Sequence, residues 1–396
     1  MALADVPDPP TQRGFPPEEY ASRLARAQAL IAEHGLGALL LTTEPEIRYF
    51  TGFLTRFWES PTRPWFLVVP AMGRPIAVIP AIGAPLMARH FEGEIRSWDA
   101  PNPADDGVTL LADTLREAAP RRTAIGLPSG HETHLRMPVD DFARLRHLLS
   151  EGRPLRDDAG IMRSLRLIKS EAEIAKIATA CTIAGRAFAR LREIAQPGIT
   201  LDAVFRGFQR LVLEEGADWV PYLAGGAGPM GYADVISPAG PQSLSQGDVL
   251  MLDTGLVHDG YFCDFDRNVA IREASPSLDA AHRRLIEAVD VGADAARPGA
   301  TAAEIYAVMS KVLGLGSAAG AGRLGHGLGM QLTEWPSLAP WDDTTLTHGM
   351  VLTLEPWIET VPGMLMVHEE NIVVRDGAPR FLSPRAEPAL PILEPS

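Results

Sequence analysis

The stretch GDVLMLDTGLVHDGYFCDFDRNVAI, residues 247–271, most restricts what this chain can become. Two apolar runs flank His258-Asp259-Gly260, and Asp-Gly between strand-like runs signals a hairpin. Folding about that turn sets Asp253 opposite Asp264 or Asp266, according to the register of the loop. Directly opposed residues share a face, with Cβ atoms about 5 Å apart. Asp264 and Asp266, two positions apart, share that face as well. Carboxylates so placed repel one another and lose hydration, so a cation must sit between them. The plain alternative is a solvated acidic face, but these aspartates interrupt the apolar runs VLML and NVAI.

Three later segments repeat the theme. RLGHGLGM sets His326 between glycines, which let the backbone approach a partner closely. GMVLTLEPWIE puts Glu355 at the end of an apolar run, and MLMVHEENIVV puts Glu369 and Glu370 between two such runs. A buried charge in such a place needs a partner. Each signal is weak alone: a Gly-His-Gly is common, and a single edge glutamate is ordinarily solvated. Together they give Asp, Asp, His, Glu and Glu, a hard, oxygen-rich ligand set with one imidazole. Four carboxylates suit two divalent ions, with Mn, Fe or Co ahead of Zn.

Composition narrows the partners. Of 396 residues, 36 are Lys or Arg and 50 are Asp or Glu, a formal charge of −14 that speaks against nucleic acid and anionic membranes as partners. With 46% hydrophobic and 22% charged residues the chain reads as globular. The cysteines, Cys181 and Cys263, are too few for a disulfide framework or a four-thiolate zinc site; Cys263 should face away from Asp264 and pack. The opening residues show no basic and apolar regions of a signal peptide, and no apolar run reaches the roughly 18 residues of a membrane span, so the expected location is cytoplasmic.

The organisation expected is α/β, in two domains: an arm over 1–15, a small α/β domain over 16–158, and a second domain over 159–396, with the polar stretch 150–160 as linker. EEYASRLARAQALIAEHG has helical spacing and a stop at Gly35; ALLLTT and PWFLVVPAMGRPIAVIP read as strands, the latter as two around Met72-Gly73-Arg74. Ser170 and Glu173 form a capping box for a helix running to Ala195, and another helix runs from Thr200 to Gly216. The same punctuation returns about a hundred residues later, with a helix over 278–296, Pro298-Gly299, and a Thr301/Glu304 box. Helix–PGIT–helix and helix–PGAT–helix imply a duplicated half, against the plain reading of Pro-Gly-x-Thr as a recurrent connector.

With these motifs in place, the sequence resembles the pita-bread metallopeptidases: prolidase, Xaa-Pro aminopeptidase and their creatinase-type relatives. GALLLTTEPEIRYFTGF is similar to the start of their amino-terminal domain, and LRLIKSEAEI to the entry helix of their catalytic domain. DTGLVHDGYFCDFDRN, GHGLGM, LTLEPW and HEENIVV match the catalytic motifs. The resemblance places the metal ligands on Asp253, Asp264, His326, Glu355 and Glu369, with Glu355 and His326 as catalytic residues and Glu355 as the general acid/base toward a metal-bridging hydroxide. It also implies a small creatinase-like domain before a pseudo-duplicated pita-bread domain. A homodimer is implied too, in which one small domain helps cover the partner's site.

The departures concern the substrate. The family's histidine seven residues after the metal-binding one is Thr333 here, followed by Glu334-Trp335-Pro336, and GGAGPMGYADVISPAGPQ lacks the histidine usual before the aspartate hairpin. Trp357 replaces a glycine, and Asp266 stands where threonine is common. Candidate substrate contacts are Thr333, Trp357, Tyr222, Trp58 and Arg63, against the plain reading of packing aromatics and a solvated arginine; Arg267 is a candidate to hold a metal-ligating aspartate. The activity implied is a dinuclear metal-dependent hydrolase cleaving an amide C–N bond of a dipeptide or small amino-acid-like substrate. The alternatives are a metal-dependent lyase of the dimethylsulfoniopropionate-lyase kind and a non-enzymatic binding module.

Overall fold

The computed structural model describes residues 13–60, 63–150, 152–315 and 322–394. Most of the expected arm, residues 1–12, lies outside the described residues. The chain divides into two compact units, Gln12–Arg166 and Leu167–Ser396.

In the amino-terminal unit, α1 (Pro17–Glu33) opens on a proline at its first turn and stops at Gly35, whose φ of +63° is left-handed. β1 (Leu36–Leu41) then leads into α2 (Glu44–Thr51), which Thr43 and Glu46 start as a capping box. β2 (Phe66–Pro70) and β3 (Ile76–Pro80) form the expected antiparallel hairpin. After α3 (Ala84–Met87) come β4 (Glu94–Trp98), α4 (Val108–Ala118), β5 (Ala124–Leu127), α5 (Val139–Leu149), β6 (Leu155–Asp157) and α6 (Ile161–Leu167). The strands lie in the order β4-β3-β2-β1-β5-β6, and Leu40, Val68, Val78, Leu111, Leu115 and Ile125 are among the residues of a core between sheet and helices.

The division falls at 166/167, not at the expected 158/159, and 150–160 is not a plain linker. Residues 155–157 pair in parallel with β5 as the sheet's edge strand. Asp158 then caps the following turn, accepting from the amides of Gly160 at 3.0 Å and Met162 at 2.9 Å. The Tyr49 hydroxyl donates to the Leu165 carbonyl at 3.2 Å, which ties α6 to this unit. A short edge strand facing solvent needs no apolar alternation, so LRD carried no strand signal.

In the second unit, α7 (Glu171–Ala189) starts on the expected Ser170/Glu173 box. It ends six residues early, because Arg190 turns the chain into a single 3₁₀ turn and its guanidinium pairs with Glu193, Glu214 and Glu215. α8 (Leu201–Glu214) is followed by β7 (Trp219–Gly228), β8 (Val249–His258), β9 (Tyr261–Phe262) and β10 (Phe265–Ile271). α9 (Pro276–Ala295) and α10 (Ala302–Leu313) open the second half, followed by β11 (His326–Gly327), β12 (Glu334–Ser337), β13 (Val351–Leu354), β14 (Trp357–Val361), β15 (Met364–Val367), β16 (Glu370–Val373), β17 (Arg380–Phe381) and β18 (Ile392–Leu393). One sheet has the order β18-β10-β8-β7 and a second the order β12-β11-β13-β16-β17.

The two halves repeat one hydrogen-bonding scheme around their Pro-Gly turns. Gly198 N–H donates to Leu244 O, Leu244 N–H to Ile199 O, and Leu201 N–H to Gln242 O. In the second half Gly299 donates to Leu346, Leu346 to Ala300, and Ala302 to Thr344. Recurrence of a whole loop-to-helix bonding pattern goes beyond a shared connector and matches the duplicated-half reading.

Candidate metal centre

Each half supplies part of one acidic cluster. On the hairpin, Asp253 of β8 pairs across the ladder with Asp266 of β10, which settles the register left open by the sequence. Asp264 is off that ladder: the chain leaves regular strand at residues 263–264. There the Asn371 side chain takes over as partner, accepting from Asp264 N–H at 3.0 Å and donating to the Asp264 carbonyl. Cys263 is buried and its thiol donates to Thr254 O, as a packing residue would.

From the second half, His326 lies on β11 between two glycines that the geometry requires. A Cβ at Gly325 would stand 2.2 Å from the Thr353 carbonyl oxygen, and one at Gly327 1.9 Å from that of Trp335. The His326 amide donates to Thr353 Oγ1 at 3.1 Å. Its Nδ1 lies 2.8 Å from the Gly327 carbonyl, which can only accept, so Nδ1 carries the hydrogen and Nε2 a lone pair. Nε2 faces Asp264 Oδ2 at 3.4 Å. Burial, reinforced by Arg323, holds the imidazole down to about 3. A neutral lone pair against a carboxylate oxygen is repulsive unless a cation lies between them.

Glu355 follows β13, its amide bound to the Leu324 carbonyl at 2.9 Å. Glu369 lies between β15 and β16, its amide donating to Asp266 Oδ1 at 3.0 Å. One ligand atom each from Asp264, His326 and Glu369 lies within 4.8 Å of the others, all buried. Burial, then mutual repulsion, pushes the carboxyls of Asp253, Asp264 and Glu369 well above the ordinary range. Burial raises Glu355 to about 7; Arg323 opposes and Asp266 adds to the shift. Buried Asp253 Oδ1 and Glu369 Oε1 have no hydrogen-bond partner among the described residues. Orphaned carboxylate oxygens around an imidazole lone pair are the donor set that divalent cations fit.

Behind this cluster lies a second charged layer. His368 Nδ1 faces Asp266 Oδ1 and its Nε2 faces Glu370 Oε1, each at 3.3 Å. Glu370 also accepts from Arg267 at 3.0 Å, from the Ser383 hydroxyl, and from the Ala386 amide at 3.0 Å. Burial works against its charge, but Arg267, His368 and Ser383 draw Glu370 down to about 2. Arg267 therefore holds a glutamate rather than the expected metal-ligating aspartate.

The predicted substrate residues divide. Tyr222, on β7, lies against Asp253 and favours its charged form, while burial and the neighbouring aspartates push the phenol's own pKa up. Thr333 is partly buried and accepts from Arg323 Nη2 at 3.2 Å. Trp357 lies opposite Val367 on the β14–β15 hairpin and packs on the core. Trp58 and Arg63 belong to the amino-terminal unit: Trp58 is buried, its ring 5.7 Å from Trp65, and the carbonyls of both Trp58 and Arg63 accept from Arg136. Those contacts are packing and loop bracing.

Sequence reasoning missed Arg323, Asn371 and Glu334. Arg323 acts on Asp264, His326 and Glu355 together, and its signal was proximity, three residues before His326. Glu334 pairs with Lys169 at 3.1 Å and accepts from the amides of Met330 and Gln331, fixing the loop after His326.

Comparison with known families decides the assignment. The model for metallopeptidase family M24 matches residues 175–376, and that for the creatinase/prolidase N-terminal domain matches 23–168. The chain belongs to metallopeptidase family M24. It has the mixed α/β architecture of that family, a creatinase-type domain before a pita-bread domain, and it is a metallohydrolase. It is 30% identical to the probable dipeptidase PepE of Mycobacterium tuberculosis over 375 residues, 92% of this chain and 95% of that protein. It is 25% identical to the Xaa-Pro dipeptidase of Lactobacillus delbrueckii subsp. lactis, over 94% of this chain and 100% of that one. Dipeptidase PepE from Mycobacterium ulcerans superposes with a TM-score of 0.81 at 28% identity, covering 96% of this M24 chain and 99% of that structure. The prolidase from Thermococcus sibiricus shares the fold, with a TM-score of 0.83 at 23% identity over 96% of this chain and 100% of that one. Among the described residues, no helix is long and apolar enough to cross a membrane.

Proposed function

We propose that this M24 protein is a dipeptidase in which Asp253, Asp264, His326, Glu355 and Glu369 hold two divalent ions, Mn, Fe or Co ahead of Zn. The observation that carries this reading is the buried Asp264–His326–Glu369 cluster, whose ligand atoms converge while carboxylate oxygens around it stay unpartnered. Such ions, when bound, polarise a carbonyl and lower the pKa of water. The chain's own residues supply the rest.

Glu355, a buried carboxylate beside Asp266 and Arg323, is the group assigned to take a proton from the attacking water and return it to the leaving nitrogen. Neutral His326, fixed by Gly327 O, offers Nε2 as a ligand rather than as a proton donor. Arg323, steadied by Thr333, is a cation that acts on Asp264, His326 and Glu355 and is placed to take the carboxylate of a short substrate. Thr333, where the peptidases carry an imidazole, then serves the carboxylate clamp.

The test is a substrate screen on metal-reconstituted protein in ¹⁸O water, with Xaa-Pro dipeptides, other dipeptides, N-acyl amino acids, and betaine or sulfonium compounds. Hydrolysis of dipeptides with ¹⁸O in the new carboxylate is expected. An alkene product without solvent oxygen, or no turnover of any dipeptide, contradicts the proposal.

A further inference from the structure

We infer that Asp266 is itself a ligand of the metal centre, a fifth carboxylate set beside Asp253. The inference rests on the metal-centre reading above and extends its ligand set.

Asp266 stands directly across the ladder from Asp253, so the two side chains leave the sheet on the same face. It is fully buried. Its two oxygens have different surroundings. Oδ1 accepts the Glu369 amide at 3.0 Å and faces His368 Nδ1 at 3.3 Å. Oδ2 is buried and has no hydrogen-bond partner among the described residues, as is true of Asp253 Oδ1. A carboxylate oxygen left dry and unpaired costs far more than a solvated one. Two such oxygens, from opposed aspartates on one face, call for a cation between them.

His368 lies against the same carboxylate: its Nδ1 faces Asp266 Oδ1 and its Nε2 faces Glu370 Oε1, each at 3.3 Å. Oδ1 of Asp266 is thus engaged from within the protein, by the Glu369 amide and beside His368, which leaves Oδ2 for a ligand.

A role limited to positioning would use Oδ1 alone, holding the Glu369 amide. Asp266→Asn keeps an acceptor of the same shape there and removes the charge from Oδ2. The experiment titrates metal-free, folded full-length protein with Mn²⁺ by calorimetry, for wild type and Asp266→Asn. Two sites are expected in the wild type, with one weakened at least about tenfold in the variant. Two unchanged affinities overturn the inference and leave Asp266 as a positioning residue. Absence of Mn²⁺ uptake by the wild type instead sinks the metal-centre reading itself. Should Asp266→Asn not fold, Asp266→Glu loaded with Co²⁺ provides the second readout: a changed visible spectrum supports ligation, and a wild-type spectrum overturns it.

Discussion

Glu369 and Glu370 are neighbours in the chain, of one residue type and both fully buried, yet their surroundings are opposite. Glu370 is closed in by Arg267, His368, Ser383 and a backbone amide, and its carboxyl is drawn down to about 2. Glu369 faces other acids, keeps an oxygen without a partner, and has its carboxyl pushed well up. Glu370 opens β16 while Glu369 still belongs to the connection before it, so one step along the chain crosses from a satisfied layer to an unsatisfied one. A structural charge carries its counter-ion within the protein; the proposed function gives Glu369 a divalent ion instead. Burial alone would not separate the two.

That contrast can be broken most forcefully at Glu369. Glu369→Gln should lower kcat/KM on dipeptides by more than about 10³-fold while the fold survives, since a neutral amide relieves repulsion among buried acids. Steady-state kinetics beside a circular-dichroism melt check both halves of this expectation. Glu370→Gln should do the reverse in kind, destabilising the protein by about 3–5 kcal/mol, because Arg267 loses the buried charge that offsets its own. Urea unfolding measures it; a change below about 1 kcal/mol would mean that the ion pair is dispensable.

The pH dependence of the metal-free protein separates the pair by sign. The folded value of Glu370, about 2, lies below its unfolded value near 4.5. Its stabilisation is therefore present above about 4.5 and lost as pH falls through about 2, at most about 3 kcal/mol. Glu369 is raised in the fold, so its effect runs the other way: stability declines as pH climbs above the ordinary carboxylate value. Glu370→Gln should flatten the acid limb of the profile and Glu369→Gln the other limb; matching profiles would refute the contrast.

A smaller effect is expected at Arg323. Removing a charged hydrogen-bonding partner is worth about 1.5–3 kcal/mol. Arg323→Gln should therefore raise KM for dipeptides by roughly 10–100-fold, with little change for dipeptide amides, which lack the carboxylate. Equal losses on both substrate classes would remove Arg323 from substrate recognition. The smallest is at Trp357, read as packing: Trp357→Phe should cost about 1 kcal/mol of stability and leave KM unchanged. A large rise in KM would return it to the substrate site.

Much of this was legible in the chain. The capping boxes at Ser170 and Thr301 formed where the sequence put them, because Ser/Thr-x-x-Glu is a local chemical device. The acids of the centre stood out because charges inside apolar strands are costly. What escaped depends on long-range pairing. Asp264 leaves the ladder because Asn371, more than a hundred residues away, supplies its backbone partners. The edge strand at 155–157 and the role of Arg323 escaped likewise, because solvent-facing strands and lone arginines look alike in any sequence. His368 escaped because nothing in the local pattern HEENIVV marks a histidine that lies between Asp266 and Glu370 only in the fold.

The most direct measurement is metal content by mass spectrometry after reconstitution with Mn²⁺ and gel filtration, for wild type, Glu369→Gln and Glu370→Gln. Two ions per chain in the wild type, a clear loss in Glu369→Gln, and retention in whatever Glu370→Gln stays folded are predicted. Fewer than one ion per wild-type chain, or full occupancy in Glu369→Gln, would contradict the account.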